Sequence, residues 1–241
     1  MAVRLVTWDV KDTLLRLRLS VGQQYYAEAK KRGIRVDPDI LERSFHDTYR
    51  SHCRLFPNYG MAQGMTSRQW WIDVVLQTFH QSGVHNASTV QPLAEQLYAD
   101  FCTARNWAVI PGARETLKSC RNLGLRMGII SNFDRRLVEV LRQCHLDQYF
   151  EFVMTSESAG VAKPHPGIFC KALRLAKIDA RQVVHVGDDY VNDYQAARMV
   201  GMDSYLLGVK NYSQDHGQDV PDGHVIESPQ QLIPKLENAL K

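Results

Sequence analysis

From residue 125 to residue 209 the chain alternates short apolar runs with longer stretches of helical periodicity, and few folds accept that pattern. The runs are LRMGII (125–130), FEFVMT (150–155), QVVHVG (182–187) and SYLLGV (204–209). Helical patterns occupy 113–123, ending before Gly124, then 134–144, 167–177 and 193–200, ending at Gly201. Strands that alternate with helices of this length form parallel βαβ units. Runs that are apolar at nearly every position belong to strands covered by helices on both faces. An earlier run, Val3, Leu5, Val6 and Trp8, adds a strand at 3–8. The expected class is α/β, a Rossmann-like doubly wound parallel sheet.

Residues 19 to about 106 contain no convincing strand. Asp37 followed by Pro38 reads as an N-cap and first helical residue, and Leu41, Phe45 and Tyr49 recur every fourth position. Trp71, Val74, Val75, Thr78 and Phe79 lie at i, i+3, i+4, i+7 and i+8, one face of a helix. SVGQQYYAEAKKRG ends at a Gly33 cap, and Leu93, Leu97 and Phe101 share a face. The expected organisation is an α/β core of residues 1–18 and 107–241 with an all-helical cap, 19–106, inserted after the first strand. Trp70, Trp71 and Trp107 read as packing between cap helices and not as a ligand cage. FPNYGMAQGM (56–65) reads as a surface loop.

Composition narrows the partners. The net charge of +3 is spread along the chain, and KKR at 30–32 reads as a solvated helix end, so no nucleic-acid surface is expected. No apolar run reaches the length of a membrane span, and a strand almost at the N-terminus argues against a cleaved signal peptide. Cys53, Cys102, Cys120, Cys144 and Cys170 show no CxxC spacing. They read as reduced thiols of an intracellular protein, and the nine histidines offer no zinc-like spacing with them.

Ligands of a parallel α/β sheet bind outside the carboxyl ends of its strands. Asp9 ends the first strand. Ser131 and Asn132 end the next, just before a helix. Asp188 and Asp189 follow QVVHVG, with Asp193 close behind, and Lys163 precedes Pro164 and Pro166 at a helix entry. Taken singly these are ordinary: a serine there is an N-cap, an aspartate after a strand a turn residue. Their joint occurrence is specific. Asp9 is a candidate nucleophile and metal ligand. Asp188, supported by Asp189 or Asp193, completes an all-oxygen Mg2+ site. Ser131, Asn132 and the N–H groups after them form an anion site at a helix N-terminus. Lys163 adds a fixed positive charge. Such neutralisation is what a carboxylate needs to attack a phosphate.

At DVKDTL (9–14), ISN (130–132), AKPHPGIF (162–169) and VGDDYVNDYQAA (186–197) the chain resembles the haloacid dehalogenase-like hydrolase superfamily. The resemblance spans the whole core and implies a Mg2+-dependent phosphatase that acts on a small phosphorylated molecule through an aspartyl-phosphate. By matched positions it implies Asp9 as nucleophile and Mg2+ ligand, and Lys11 as a ligand through its backbone carbonyl. It further implies Ser131 as phosphate binder, Lys163 as the neutralising cation, Asp188 as metal ligand, and Asp193 as a direct or outer-sphere partner.

The departure is at Lys11, where phosphatases of the superfamily carry the aspartate that protonates the leaving oxygen and later deprotonates water. Losing a positioned acid–base group lowers the rate by roughly 10²–10⁴-fold. Asp12 is the less attractive substitute, because the family usually has a small residue there. Two readings stay open, a weak phosphatase and a pseudoenzyme with a binding or regulatory role in which Lys11 pairs with Asp9 or Asp189. Dehalogenation, which uses no Mg2+ cluster, fits the aspartates less well.

Overall fold

The computed structural model describes residues 2–208 and 220–240. In chain order its elements are β1 Leu5–Trp8, β2 Leu15–Leu17, α1 Val21–Lys31, α2 Pro38–Leu55, α3 Pro57–Gly60, α4 Ser67–Gln81 and α5 Ala87–Asp100. There follow β3 Trp107–Val109, α6 Ala113–Asn122, β4 Arg126–Ser131, α7 Leu137–Gln143, β5 Phe152–Thr155, α8 Ser156–Ala159 and α9 Pro166–Ala176. The chain ends with β6 Val183–Gly187, α10 Ala196–Met199, β7 Asp203–Leu207, β8 Val225–Ile226 and α11 Leu232–Ala239. The strand expected at 204–209 is shorter, and Val209 lies outside the described residues. β8 and α11 had no clear signature: β8 is two residues long, too short for any period to register.

Two compact units emerge. One comprises the chain up to Arg16, Val109–Phe133 and the chain from Cys144 onward; the other comprises Leu17–Ala108 and Asp134–Gln143. The first holds a six-stranded sheet in the order β5-β4-β1-β6-β7-β8. Every adjacent pair is parallel. β1 and β6, buried along their whole length, are adjacent at the centre. The chain builds outward from β1 toward β4 and β5, then returns to the other side with β6. The β1–β6 junction is therefore the topological switch point, where the carboxyl ends open a crevice.

The second unit is helical. Serine and threonine caps set its starts: Ser20 with Gln23 before α1, and Thr66 with Gln69 before α4, each form a reciprocal capping box. Asp37 caps α2 with Pro38 at its first position, as the sequence predicts. Gly22 lets α1 and α2 touch, since a Cβ there would lie 2.6 Å from the Pro38 carbonyl and the Glu42 nitrogen. Tyr25 stacks on Phe79 at 6.0 Å and meets Phe45 edge-on at 5.9 Å in a core completed by Leu41, Leu93 and Leu97. Trp70 and Trp107 are packing residues whose indoles donate to the Phe56 and Phe101 carbonyls. Residues 56–65 are not a plain loop but a tight turn of short helical pieces, with Asn58, Tyr59 and Gly60 in left-handed conformation.

The stretch 134–144, expected as a helix of the α/β core, departs in two ways. The helix starts only at Leu137, and residues 134–143 group with the helical unit. The cause is a buried ion pair. Arg136 grips Asp134 with Nε–Oδ1 2.9 Å and Nη2–Oδ2 2.7 Å, and the Trp71 indole N–H donates to the same carboxylate at 2.7 Å. The guanidinium lies 4.3 Å from the Tyr98 ring centroid and 5.1 Å from that of Trp71. Among the described residues no helix is long and apolar enough to cross a membrane.

Candidate active site

Asp9 follows β1 directly, its N–H donating to the Val186 carbonyl at 2.8 Å, which sets it level with Gly187 at the end of β6. Asp188 follows that glycine. Asp193 lies in a π-type helical turn, Tyr190–Gln195, and leans back over Gly187; a Cβ on Gly187 would lie 2.1 Å from its Cγ. The absence of a side chain at 187 is thus what admits the third carboxylate. One oxygen from each of Asp9, Asp188 and Asp193 lies within 4.8 Å of the others. Asp189, the alternative third member, is instead the cap of the turn and accepts from the Val191 and Asn192 N–H groups.

Lys163 is buried in the middle. Its Nζ donates to Asp9 Oδ1 at 2.6 Å, to Asp193 Oδ1 at 2.5 Å and to the Ile130 carbonyl at 3.0 Å. Burial works against its charge, but the Asp193 and Asp9 carboxylates outweigh it and hold its pKa above the usual lysine range. Burial also opposes ionisation of Asp193, yet Lys163 and the His185 N–H bring that carboxyl well below its ordinary value. Asp9 is pushed up by burial, with Lys163 opposing and the Ser131 hydroxyl hydrogen-bonded to it. Asp188 is pushed up to about 7 by burial and then by the charges of Asp9, Asp193 and Asp12, while the Thr13 hydroxyl donates to its Oδ1 at 3.1 Å.

Three carboxylates against one ammonium leave two negative charges when all are ionised, and that excess adds to burial in raising Asp188. An all-oxygen donor set with a double negative charge fits a hard divalent cation such as Mg2+. Asp9 and Asp188 are the better placed to hold it. Asp193 already accepts at Oδ1 from Lys163 and His185 and at Oδ2 from the Asp189 N–H, at 3.1 Å, which suits an outer-sphere partner.

The remaining residues fall less simply. Ser131 is buried beside Asp9, but no helix begins after it; α7 starts six residues later, so the expected helix N-terminus is not at the site. Asn132 spends its amide on Lys163, accepting from the Lys163 N–H at 2.7 Å and donating to the Lys163 carbonyl at 2.9 Å. Its side chain orients the lysine loop instead of facing an anion. Lys11 is exposed and pairs with Asp12 at 2.6 Å, not with Asp9 or Asp189. The Val10 carbonyl gathers the N–H groups of Thr13, Leu14 and Leu15, and Asp12 turns the chain with φ +62°.

Two residues, His185 and Thr7, were missed. His185, fully buried in β6, places Nε2 3.1 Å from Asp193 Oδ1 and Nδ1 2.9 Å from the Thr7 hydroxyl. The available signal was a histidine inside an otherwise apolar strand, QVVHVG, where a polar residue needs a partner.

Comparison with known proteins places the chain among relatives of like architecture. A family model described as haloacid dehalogenase-like hydrolase matches residues 3–201. The chain is 68% identical over 241 residues to haloacid dehalogenase-like hydrolase domain-containing protein 3 of Xenopus laevis, covering 100% of this chain and 98% of that protein. It is 50% identical over 236 residues to the Homo sapiens protein of the same name, covering 98% and 94%. Among solved structures, a 2-haloacid dehalogenase from Pseudomonas syringae pv. Tomato aligns with TM-score 0.69 at 24% identity, over 99% of this chain and 100% of that one. The magnesium-bound putative HAD-hydrolase YfnB from Bacillus subtilis aligns with TM-score 0.67 at 16% identity, over 98% and 99%. At such identities these two establish likeness of fold alone.

Proposed function

The chain belongs to the haloacid dehalogenase-like hydrolase family, and on that premise we propose that it is a slow Mg2+-dependent phosphatase of a small phosphorylated molecule. The observation that carries the reading is the convergence of Asp9, Asp188 and Asp193 within 4.8 Å around the buried Lys163. Dehalogenation needs no divalent cation, so a three-carboxylate set suited to one favours the phosphatase reading.

In this reading an Asp9 oxygen bonds to phosphorus as the bond to the leaving alcohol oxygen breaks. Water then attacks the phosphorus of the aspartyl-phosphate, releasing inorganic phosphate and restoring the carboxylate, with the proton of the attacking water lost to solvent and the leaving alkoxide protonated from solvent. Mg2+, when bound, supplies charge neutralisation at the phosphoryl oxygens. Lys163 holds Asp9 in place and offsets charge on the same side. Ser131 reaches the nucleophile directly, and Asn132 fixes the loop that carries Lys163. The reaction lacks a carboxyl at position 11 to give a proton to the leaving oxygen and take one from water, which lowers the rate by roughly 10²–10⁴-fold. The cysteine usage, with no CxxC spacing, favours an intracellular setting.

The test is a panel of small phosphate esters assayed with purified protein, with and without Mg2+, beside the Asp9→Asn variant. Turnover that needs both the ion and Asp9 supports the proposal. Absence of turnover on every ester overturns it. The second reading, a binding or regulatory protein on a hydrolase fold, would then stand, and the observation that favours it is Lys11 itself.

A further inference from the structure

We propose that His185 and Thr7 are positioning residues of this site, holding Asp193 in the one orientation that makes it the counter-ion of Lys163. The proposal rests on the phosphatase reading only for its effect on turnover; the geometry stands without it.

Asp193 hangs from a π-type turn, an irregular piece of backbone, so its orientation is set by what its carboxylate touches. Three contacts do this. Gly187 leaves room for it, with its own Cα where any side chain would collide. The Asp189 N–H takes Oδ2 at 3.1 Å. His185 Nε2 takes Oδ1 at 3.1 Å, the same oxygen that receives Lys163 Nζ at 2.5 Å. The last contact is the informative one. β6 is buried throughout and flanks His185 with valines, so an aliphatic side chain would serve packing there as well, without bringing polar nitrogens into the core.

The partners assign the imidazole tautomer. A carboxylate accepts only, so Nε2 must carry the hydrogen it donates. In the neutral ring Nδ1 is then a lone pair, and it accepts the Thr7 hydroxyl hydrogen at 2.9 Å, the hydroxyl's other acceptor being the Val184 carbonyl at 3.4 Å. Phe169 closes the remaining space edge-on, its ring centroid 5.2 Å from that of His185. Burial lowers the His185 pKa, with Asp193 opposing. A buried relay thus runs from Thr7 in β1 through His185 in β6 to Asp193, Lys163 and Asp9.

Imidazole ¹⁵N spectra of the metal-free wild type test the tautomer without any turnover. The expected result is a protonated Nε2 and an unprotonated Nδ1 at His185; the opposite tautomer, or rapid exchange between the two, overturns the proposal. The Asp193 carboxyl ¹³C signal should move in His185→Leu and in Thr7→Val, and return toward the wild-type position in His185→Gln, whose amide keeps an N–H donor. A signal indifferent to Thr7→Val and His185→Gln overturns the proposal even if His185→Leu does not fold. In turnover, His185→Leu should lose about 10–100-fold in kcat at unchanged KM, with partial rescue in His185→Gln, as for partners one step removed from a reacting group. A wild type that hydrolyses no ester defeats the phosphatase reading, and the spectra still decide this one.

Discussion

Replacing Asp188 by asparagine should stabilise the metal-free protein above neutral pH. The carboxyl is partly buried, its charged neighbours Asp9, Asp193 and Asp12 are acidic, and its pKa stands at about 7 against an ordinary 3.8. A shift of about 3 units at about 1.4 kcal/mol each sets a ceiling on the order of 4 kcal/mol. Partial exposure admits water and salt, so about 2 kcal/mol is the better expectation. The sign follows from the folded state holding the proton more tightly than the unfolded chain. Protonated Asp188 contributes its full stability below about pH 4, and that contribution is lost as pH rises through about 7. Asparagine keeps a side chain for the Thr13 contact and carries no charge at any pH. Urea unfolding of wild type and Asp188→Asn in the presence of a chelator, at about pH 4.5 and about pH 8, isolates the effect, because all other titrating groups are shared. The variant should gain on the wild type between the two, and saturating Mg2+ should reverse the order at the higher pH. An equal difference at both pH values would refute the charge-excess account of the cluster.

Three further outcomes are expected. Lys11→Asp should raise turnover of a small ester such as para-nitrophenyl phosphate by about 10²-fold or more, the low end of acid–base contributions; a folded, Mg2+-binding variant with no gain would shift the defect elsewhere, and Asp9→Asn in the same background must silence it. Gly187→Ala should destabilise the protein by about 1–3 kcal/mol through overpacking and weaken Mg2+ binding in calorimetry, since its Cβ would overlap Asp193. Arg136→Ala should lower stability by roughly 3–5 kcal/mol, because it strands the fully buried Asp134 without its cation; thermal unfolding at fixed pH is the measurement.

The sheet was legible because strands covered on both faces are mostly apolar, and β1, β4 and β6 are so apart from Thr7, Arg126, Ser131 and His185. The start of α2 was legible because Asp37-Pro38 is a local chemical signal that needs no tertiary partner. The grouping of residues 134–143 was hidden for the opposite reason. Asp134 answers to Trp71, 63 positions away, and no periodicity within the segment records that pair. The site divides in the same way. The carboxyl-end rule brings Asp9, Ser131 and Asp188 to one place from sequence alone, and a helix entry marks Lys163. It could not choose between Asp189 and Asp193, which depends on a turn folding back over Gly187. Nor could it tell that Asn132 would be spent on the Lys163 backbone, or that a left-handed residue at Asp12 would turn a carboxylate toward Lys11.

That last contact bears on what the lysine has done to the site. An ammonium about 5 Å from a divalent ion would meet repulsion of roughly 3 kcal/mol per unit charge at an effective dielectric of about 20. Paired with Asp12 at 2.6 Å, Lys11 instead contributes little net charge to the carboxylate cluster. Under the proposed function, a lysine at position 11 withholds a proton-transfer group without placing an unpaired ammonium on the carboxylates. Stability gives no reason for that arrangement. An asparagine at 188 could keep a hydrogen bond to Thr13 and would avoid a carboxyl raised to about 7. A carboxylate at 188 has a physical use only if something positive comes to it. A mere scaffold would gain by lacking that charge, so Asp188 is an argument for the cation-binding part of the proposed function, whatever the speed of catalysis.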